Sequence, residues 1–273
     1  KSYEYPMREI LLEQMQRYER LTAREPYLAH LTAEQTFDVE IRRAKFLLDD
    51  GRYRDAEQLL HLMLKRRNLE PPQQVDVYIQ LANVVLRLGQ YSLGARFFGR
   101  AVRLSQQYKL QGWLVKAENG LGWAYRNLAN LGEAQRHYEA ALVIARSHQL
   151  AHEQALLYTN LGFVYAYNPA QRERAASFCR ASLSLWEQLG DKRGIGRAHS
   201  AFGCVNFMDG EFDDALTHFQ QALDIFEPAG DKEWLSTVFS WRAAISRVGC
   251  CCGDLQRRGE CQECKCAGAG IRC

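Results

Sequence analysis

A single period constrains this chain more than any motif does. Ala56, Gly94, Ala134, Ala175 and Ala215 succeed one another at steps of 38, 40, 41 and 40 residues, and seven residues after each stands Met63, Ala101, Ala141, Ser182 or Ala222. Seven residues are two helical turns, so both members of a pair fall on one face of a helix. Small residues there let a second helix approach closely, while larger neighbours such as Tyr138 fill the space between. Regular repetition of this kind describes one helical unit stacked on copies of itself, because no single helix pair can bury its apolar stripe alone.

Each unit reads as two helices joined by a tight turn. In Asn119-Gly-Leu-Gly-Trp-Ala-Tyr125, Leu121, Gly122 and Tyr125 share a face, and Ala134, Tyr138 and Ala141 do the same in the segment that follows. The Leu121-Gly122 pair reappears as Leu161-Gly162, as Phe202-Gly203 and, weakened, as Leu81-Ala82; Arg43-Ala44 in the first unit barely keeps it. On these residues the chain resembles the tetratricopeptide repeat (TPR), whose sparse pattern is Leu-Gly, Tyr, Ala, Phe/Tyr and Ala at fixed offsets. The resemblance covers residues 36 to 248. It implies an all-α, right-handed superhelix, an α-solenoid of antiparallel helix pairs. The units exceed the length of about 34 residues usual for the repeat. Their extra length falls at Leu189-Gly-Asp-Lys192 and Ala229-Gly-Asp-Lys232, where Gly ends one helix and Asp starts the next. That punctuation is similar to the TPR arrays of STAND-type signalling ATPases and MalT-like regulators, and to those of LGN/GPSM-type scaffolds.

Composition limits what such an array does. With 273 residues, 47% of them hydrophobic and 25% charged, the chain can bury a large core, and six prolines leave room for long helices. A formal net charge of +3 is too small to imply nucleic-acid binding, and no run of about 18 apolar residues suggests a membrane span. No signal-peptide pattern opens the sequence, and a start at Lys1 without Met reads as a piece of a longer polypeptide; the expected location is cytoplasmic. No P-loop, Gly-x-Ser-x-Gly, His-Glu-x-x-His or paired-glycine fingerprint occurs, so neither enzymatic activity nor a cofactor is expected. His61, His137, His148, His152, His199 and His218 are scattered at helical positions, where packing or surface histidines are commonest.

Residues 1 to 31 read as a leading helix, since Ile10, Leu11, Met15, Tyr18 and Leu21 keep helical spacing. It either caps the first repeat or ends a connection from an upstream domain. Thr32-Ala-Glu-Gln35 has the spacing of a capping box and opens a solenoid expected over residues 32 to 248, about five and a half repeats. Glu70-Pro71-Pro72 suits an extended connection before a helix from Gln74, and Pro169 accounts for an irregular turn in the fourth unit. The sixth unit begins near Glu233 and then gives way, at 249 to 273, to a tail holding seven of the nine cysteines. The tail is expected to be unstructured. Zinc held by Cys252, Cys261, Cys264 and Cys266 is one alternative and disulfides another, but the tail has no His and almost no apolar residue to fold around a metal. An array ending in half a repeat leaves an apolar edge. Cys179 and Cys204 read as small buried packers.

Function is sought in the groove. The TPR resemblance implies that the first helix of each pair lines the concave face, with exposed positions 5 and 2 residues before the Leu of Leu-Gly and 2, 5 and 6 after it. On this chain that set includes Asn83 and Arg87 in the second unit and Lys116, Asn119, Trp123, Arg126 and Asn127 in the third. The fourth contributes Thr159, Phe163 and Tyr167, and the fifth Arg197 and Ser200. Four cations and three aromatic anchors would suit a protein or peptide partner with acidic and apolar side chains. A carboxylate clamp of the chaperone-tail kind is not expected, because Ile79 occupies one of its Lys positions. RNA binding lacks the regular per-repeat code that helical repeats use. The resulting expectation is the sensor or docking module of a larger signalling protein, with a passive scaffold as the alternative.

Overall fold

The computed structural model describes residues 32–66 and 68–257, with the side chains of 248–257 left aside. The leading segment 1–31 and Cys261, Cys264, Cys266 and Cys273 lie outside the described residues. Among the described residues eleven α-helices follow one another. They are α1 (Ala33–Asp49), α2 (Tyr53–Leu64), α3 (Pro71–Arg87), α4 (Tyr91–Gln107), α5 (Gln111–Asn127), α6 (Leu131–Ser147), α7 (Ala151–Ala166), α8 (Arg172–Leu189), α9 (Lys192–Asp209), α10 (Phe212–Ala229) and α11 (Lys232–Arg257). Among the described residues they form five antiparallel pairs and one further helix, stacked as an all-α right-handed solenoid.

The second helix of each pair buries a narrow stripe at the spacing read from the sequence. In α8 it is Ala175, Cys179, Ser182 and Trp186, and in α10 Ala215, Phe219, Ala222 and Phe226. First helices are covered on more sides. In α7 every residue from Leu161 to Ala166 is buried, which flattens the amphipathic pattern there. Both repeat cysteines, Cys179 and Cys204, are fully buried packers.

Helix approach depends on missing side chains. A Cβ built on Gly122 of α5 would stand 2.7 Å from the Tyr138 ring of α6, and one on Gly120 would stand 2.2 Å from the Phe98 ring of α4. One glycine seats the partner within the unit and its neighbour seats the preceding unit. The same device recurs at Gly203 against Phe219 and at Gly194 against Trp186.

Corners follow local chemistry. Thr32 and Gln35 form the expected capping box. Gly190 and Gly230 turn left-handed at φ 68° and 63°, and Asp191 and Asp231 then accept from the amides of Gly194 and Trp234. At Asn168 the side chain caps a 3-10 turn, Pro169–Gln171, that absorbs the irregularity. Lys109, Ala129 and Gln149 hold the same left-handed conformation, φ 54° to 58°, without being glycine.

Two expectations are corrected. Pro71 and Pro72 are inside the first turn of α3, not in an extended connection before it; Glu70 and Gln73 form a reciprocal cap, and the first turn has no use for the amide that proline lacks. The last helix also does not stop at Gly249 but continues to Arg257, since that stretch contains no proline to break it.

Two predictions follow from this packing. Gly120→Ala gains helix propensity of about 1 kcal/mol but forces a Cβ into the buried Phe98 ring, so a net loss of about 1–2 kcal/mol is expected in urea unfolding. Lys109→Gly, Ala129→Gly and Gln149→Gly each remove left-handed strain and are expected to raise stability, by about 0.5–1 kcal/mol apiece.

Candidate functional site in the concave groove

The first helices of successive pairs pack on one another, which places α1, α3, α5, α7, α9 and α11 on the inner curve. The groove residues named from the sequence all lie on, or at the end of, these inner helices. Their environments differ, however, and the structure divides them into three groups.

Arg87, Lys116, Asn127 and Tyr167 are exposed, while Asn83, Asn119 and Trp123 are half-buried. Asn119 Oδ1 accepts from Asn160 Nδ2 on α7 at 2.8 Å, tying the third and fourth units together inside the groove. Lys116 Nζ lies 5.1 Å from the centroid of the Trp113 ring. A cleft of about 230 Å³ opens between α5 and α7, lined by Lys116, Asn119, Glu153 and Leu156 among others. That volume is below the roughly 300 Å³ where small-molecule pockets begin. It suits one side chain of a longer guest.

Thr159, Phe163 and Ser200 are buried, contrary to the expectation of groove exposure. Thr159 Oγ1 donates to the Ala155 carbonyl at 3.1 Å, accepts from Trp186 Nε1 at 3.3 Å and lies 2.6 Å from Ser182 Oγ. The hydroxyl turns toward α8 because that helix presents an indole and a second hydroxyl that need partners away from water. Ser200 Oγ donates to the Gly196 carbonyl, 3.0 Å away, in its own helix.

Arg126 and Arg197 are half-buried and stacked on aromatic rings, so they are not the free cations the sequence suggested. The Arg126 guanidinium lies 5.2 Å from the centroid of Phe163, and that of Arg197 lies 5.5 Å from the centroid of Trp234. Phe163 and Trp234 are themselves 6.3 Å apart. A continuous series thus runs from Arg126 through Phe163 and Trp234 to Arg197, joining α5, α7, α11 and α9. Burial, with Arg193 beside it, lowers the pKa of Arg197 against the opposing effect of Glu233, Asp231 and Asp191. Its Nε is buried without a hydrogen-bond partner among the described residues.

Arg87 is also engaged. Its Nη2 lies 2.7 Å from Glu233 Oε2, a contact between the second unit and the sixth. Beside it Arg193 Nε pairs with Asp231 at 2.5 Å. Asp49, at the end of α1, has its pKa raised by burial while Arg193 and Arg87 pull it back down. Charges from the first, second, fifth and sixth units meet in one place, so the superhelix closes on itself. Each partner of the Arg87–Glu233 pair is about one third exposed, and such a pair contributes about 0–1 kcal/mol.

Sequence reasoning missed Glu233, Trp234, Asp49, Arg193 and Asn160. One signal was available. Gly190-Asp-Lys-Arg-Gly194 and Gly230-Asp-Lys-Glu-Trp234 are equivalent corners, and the second reverses a charge and puts the largest side chain where the first has none. Among the described residues no group of three metal-ligating side chains occurs; of the suggested zinc ligands, the Cys252 side chain is not described and the other three lie outside the described residues. No helix among the described residues is long and apolar enough to cross a membrane.

Comparison with known proteins agrees with this architecture. Residues 119–148 and 153–227 each match a family model of the tetratricopeptide repeat, and the helix pairs before them stack in the same way. The described chain is a TPR solenoid. No curated protein matches the sequence. Among solved structures, BtubC from P. vanneervenii is 21% identical, with a TM-score of 0.58 over 85% of this chain and 94% of that one. The Rap conjugation gene regulator of the plasmid pLS20, in complex with the Phr* peptide, is 15% identical, with a TM-score of 0.62 over 74% and 56%. A signal transduction ATPase with numerous domains and a tetratricopeptide repeat sensor, from Pyrococcus horikoshii, is 13% identical, with a TM-score of 0.62 over 79% of this chain and 33% of that one.

Thr159→Val is expected to destabilise the array by about 1–3 kcal/mol, measured by urea unfolding, because it strands the Trp186 indole N–H, whereas the Ser182 hydroxyl keeps the Ala155 carbonyl. A second prediction concerns His199, whose Nδ1 lies 3.1 Å from His218 Nδ1. Burial, then the neighbouring His218, pushes its pKa down to about 4. The unfolded histidine binds its proton near pH 6.5 while the folded one stays neutral, so stability is full above that pH and is lost as pH falls toward 4. The urea midpoint is expected to fall between pH 7.5 and 5, and by less in His199→Gln.

Proposed function

We propose that this array is a protein-interaction module whose concave groove takes a peptide or protein segment, as the sensor or docking part of a larger signalling protein. The observation that carries this reading is the open stretch of groove along α5 and α7. Lys116, Asn119 and Trp123 remain available there, and the adjoining cleft has the size of one side chain.

The chemistry of that stretch favours an acidic segment with apolar anchors. Lys116 and Arg126 supply positive charge, Asn119 supplies an amide to a guest backbone, and Trp123 and Leu156 offer apolar surface. Arg and aromatic side chains dominate binding energy at interfaces of this kind. The pLS20 regulator, similar in fold, is in complex with a peptide, and the P. horikoshii protein has a tetratricopeptide repeat sensor; both likenesses support the reading.

Capture from lysate by the purified protein, compared with Lys116→Glu/Trp123→Ala/Arg126→Glu, tests this. A partner held by the parent and reduced at least tenfold by the folded variant is the expected result. Equal capture by both overturns the placement in the groove.

A further inference from the structure

The groove already holds a guest of its own. Glu233 and Trp234, in the first turn of α11, cross the concave face and engage three of the positions named from the sequence, Arg87, Phe163 and Arg197. The Glu233 carboxylate reaches Arg87 of α3 at 2.7 Å. The Trp234 indole lies between the Arg197 guanidinium at 5.5 Å and the Phe163 ring at 6.3 Å, with Phe226 at 5.7 Å behind it. Glu233 makes its ion pair with the second unit, whereas Trp234 packs on the cluster that holds Phe226, Val238 and Ile245 as well as on Phe163. The equivalent corner of the preceding unit has Arg193 and Gly194, and Gly194 merely makes room for Trp186.

We propose that the Glu233-Trp234 turn is an internal competitor, and that the groove accepts an external segment of the same chemistry: a carboxylate directly followed by an aromatic residue at the start of a helix. This rests on the groove reading above and specifies its ligand. Arg87 takes the guest carboxylate in place of Glu233, and the Phe163–Arg197 slot takes the aromatic ring in place of Trp234. The displacement is feasible because the ion pair is about one third exposed and weak, while α11 stays attached through Val238 and Ile245, which are buried against α10. Asp231 and Arg193, paired at 2.5 Å, set the hinge about which the first turn moves.

Such an arrangement makes binding and closure mutually exclusive. A segment that binds only the open form has its apparent affinity reduced by the fraction of chains that are open. Removing the internal competitor therefore strengthens external binding instead of weakening it. A structural role for Glu233 and Trp234 alone predicts the opposite, or no change.

The test uses the full chain and a fluorescein-labelled synthetic peptide spanning residues 229–245. Glu233→Ala/Trp234→Ala is expected to bind this peptide at least tenfold more tightly than the parent does. Adding Arg87→Glu to that variant should abolish the gain, and a peptide carrying the same two alanines should not bind. No binding by the folded double variant, or binding indifferent to Arg87→Glu, overturns the proposal. Should the double variant fail to fold, hydrogen exchange of the amides at 235–238 in Glu233→Gln replaces it. Exchange at least tenfold faster than in the parent supports the displaceable turn, and unchanged exchange refutes it. Because the probe is the chain's own segment, its failure leaves capture through Lys116 and Trp123 standing, and loss of that capture leaves this result intact.

Discussion

The interlock of a bare glycine with an aromatic ring is the contact on which this solenoid depends. Gly120 receives Phe98 from the preceding unit and Gly122 receives Tyr138 from its own; Gly194 and Gly203 repeat the arrangement with Trp186 and Phe219. A Cβ at any of these places would sit inside a ring whose other side is already packed. Interiors at crystal-like density have no slack to absorb it. Each interlock therefore sets both the distance and the angle between two helices, and the superhelix is the sum of these settings.

Tight curvature follows, and with it the electrostatics of the groove. Units two and six come near enough for Arg87 to meet Glu233, and unit one brings Asp49 to the same place. The arginines of the inner surface are consequently not a bare positive field. Two are stacked on rings and one is paired, and the neighbouring carboxylates balance much of their charge. What holds the closed form is a few partly solvated ion pairs and one stacked indole, against dozens of fully buried apolar side chains holding the units themselves. The repeats are held by far more buried apolar surface than their closure is.

The features legible in advance were those decided within a few residues. The Thr32 capping box, the Gly-Asp corners at 190 and 230 and the break at Pro169 each depend on one side chain meeting a backbone group nearby. Misreadings arose where two local rules competed. Pro71 and Pro72 suit either an extended connection or a first helical turn, and the Glu70–Gln73 cap decided for the helix. Within the groove, Arg87, Lys116 and Asn127 kept the exposure their repeat positions imply, whereas Thr159 and Ser200 found buried hydrogen-bond partners instead.

By itself, the sequence determined the kind of unit and its repetition, since small and large residues at helical spacing specify how one helix meets the next. Which groove positions stay open was decided only in three dimensions. Trp234 touches Phe163 from 71 residues away, and Arg87 and Glu233 are separated by 146; no local pattern records such meetings. They exist because many small rotations between units accumulate until distant helices face one another. Periodicity fixes each rotation, but only their sum brings the last helix across the groove.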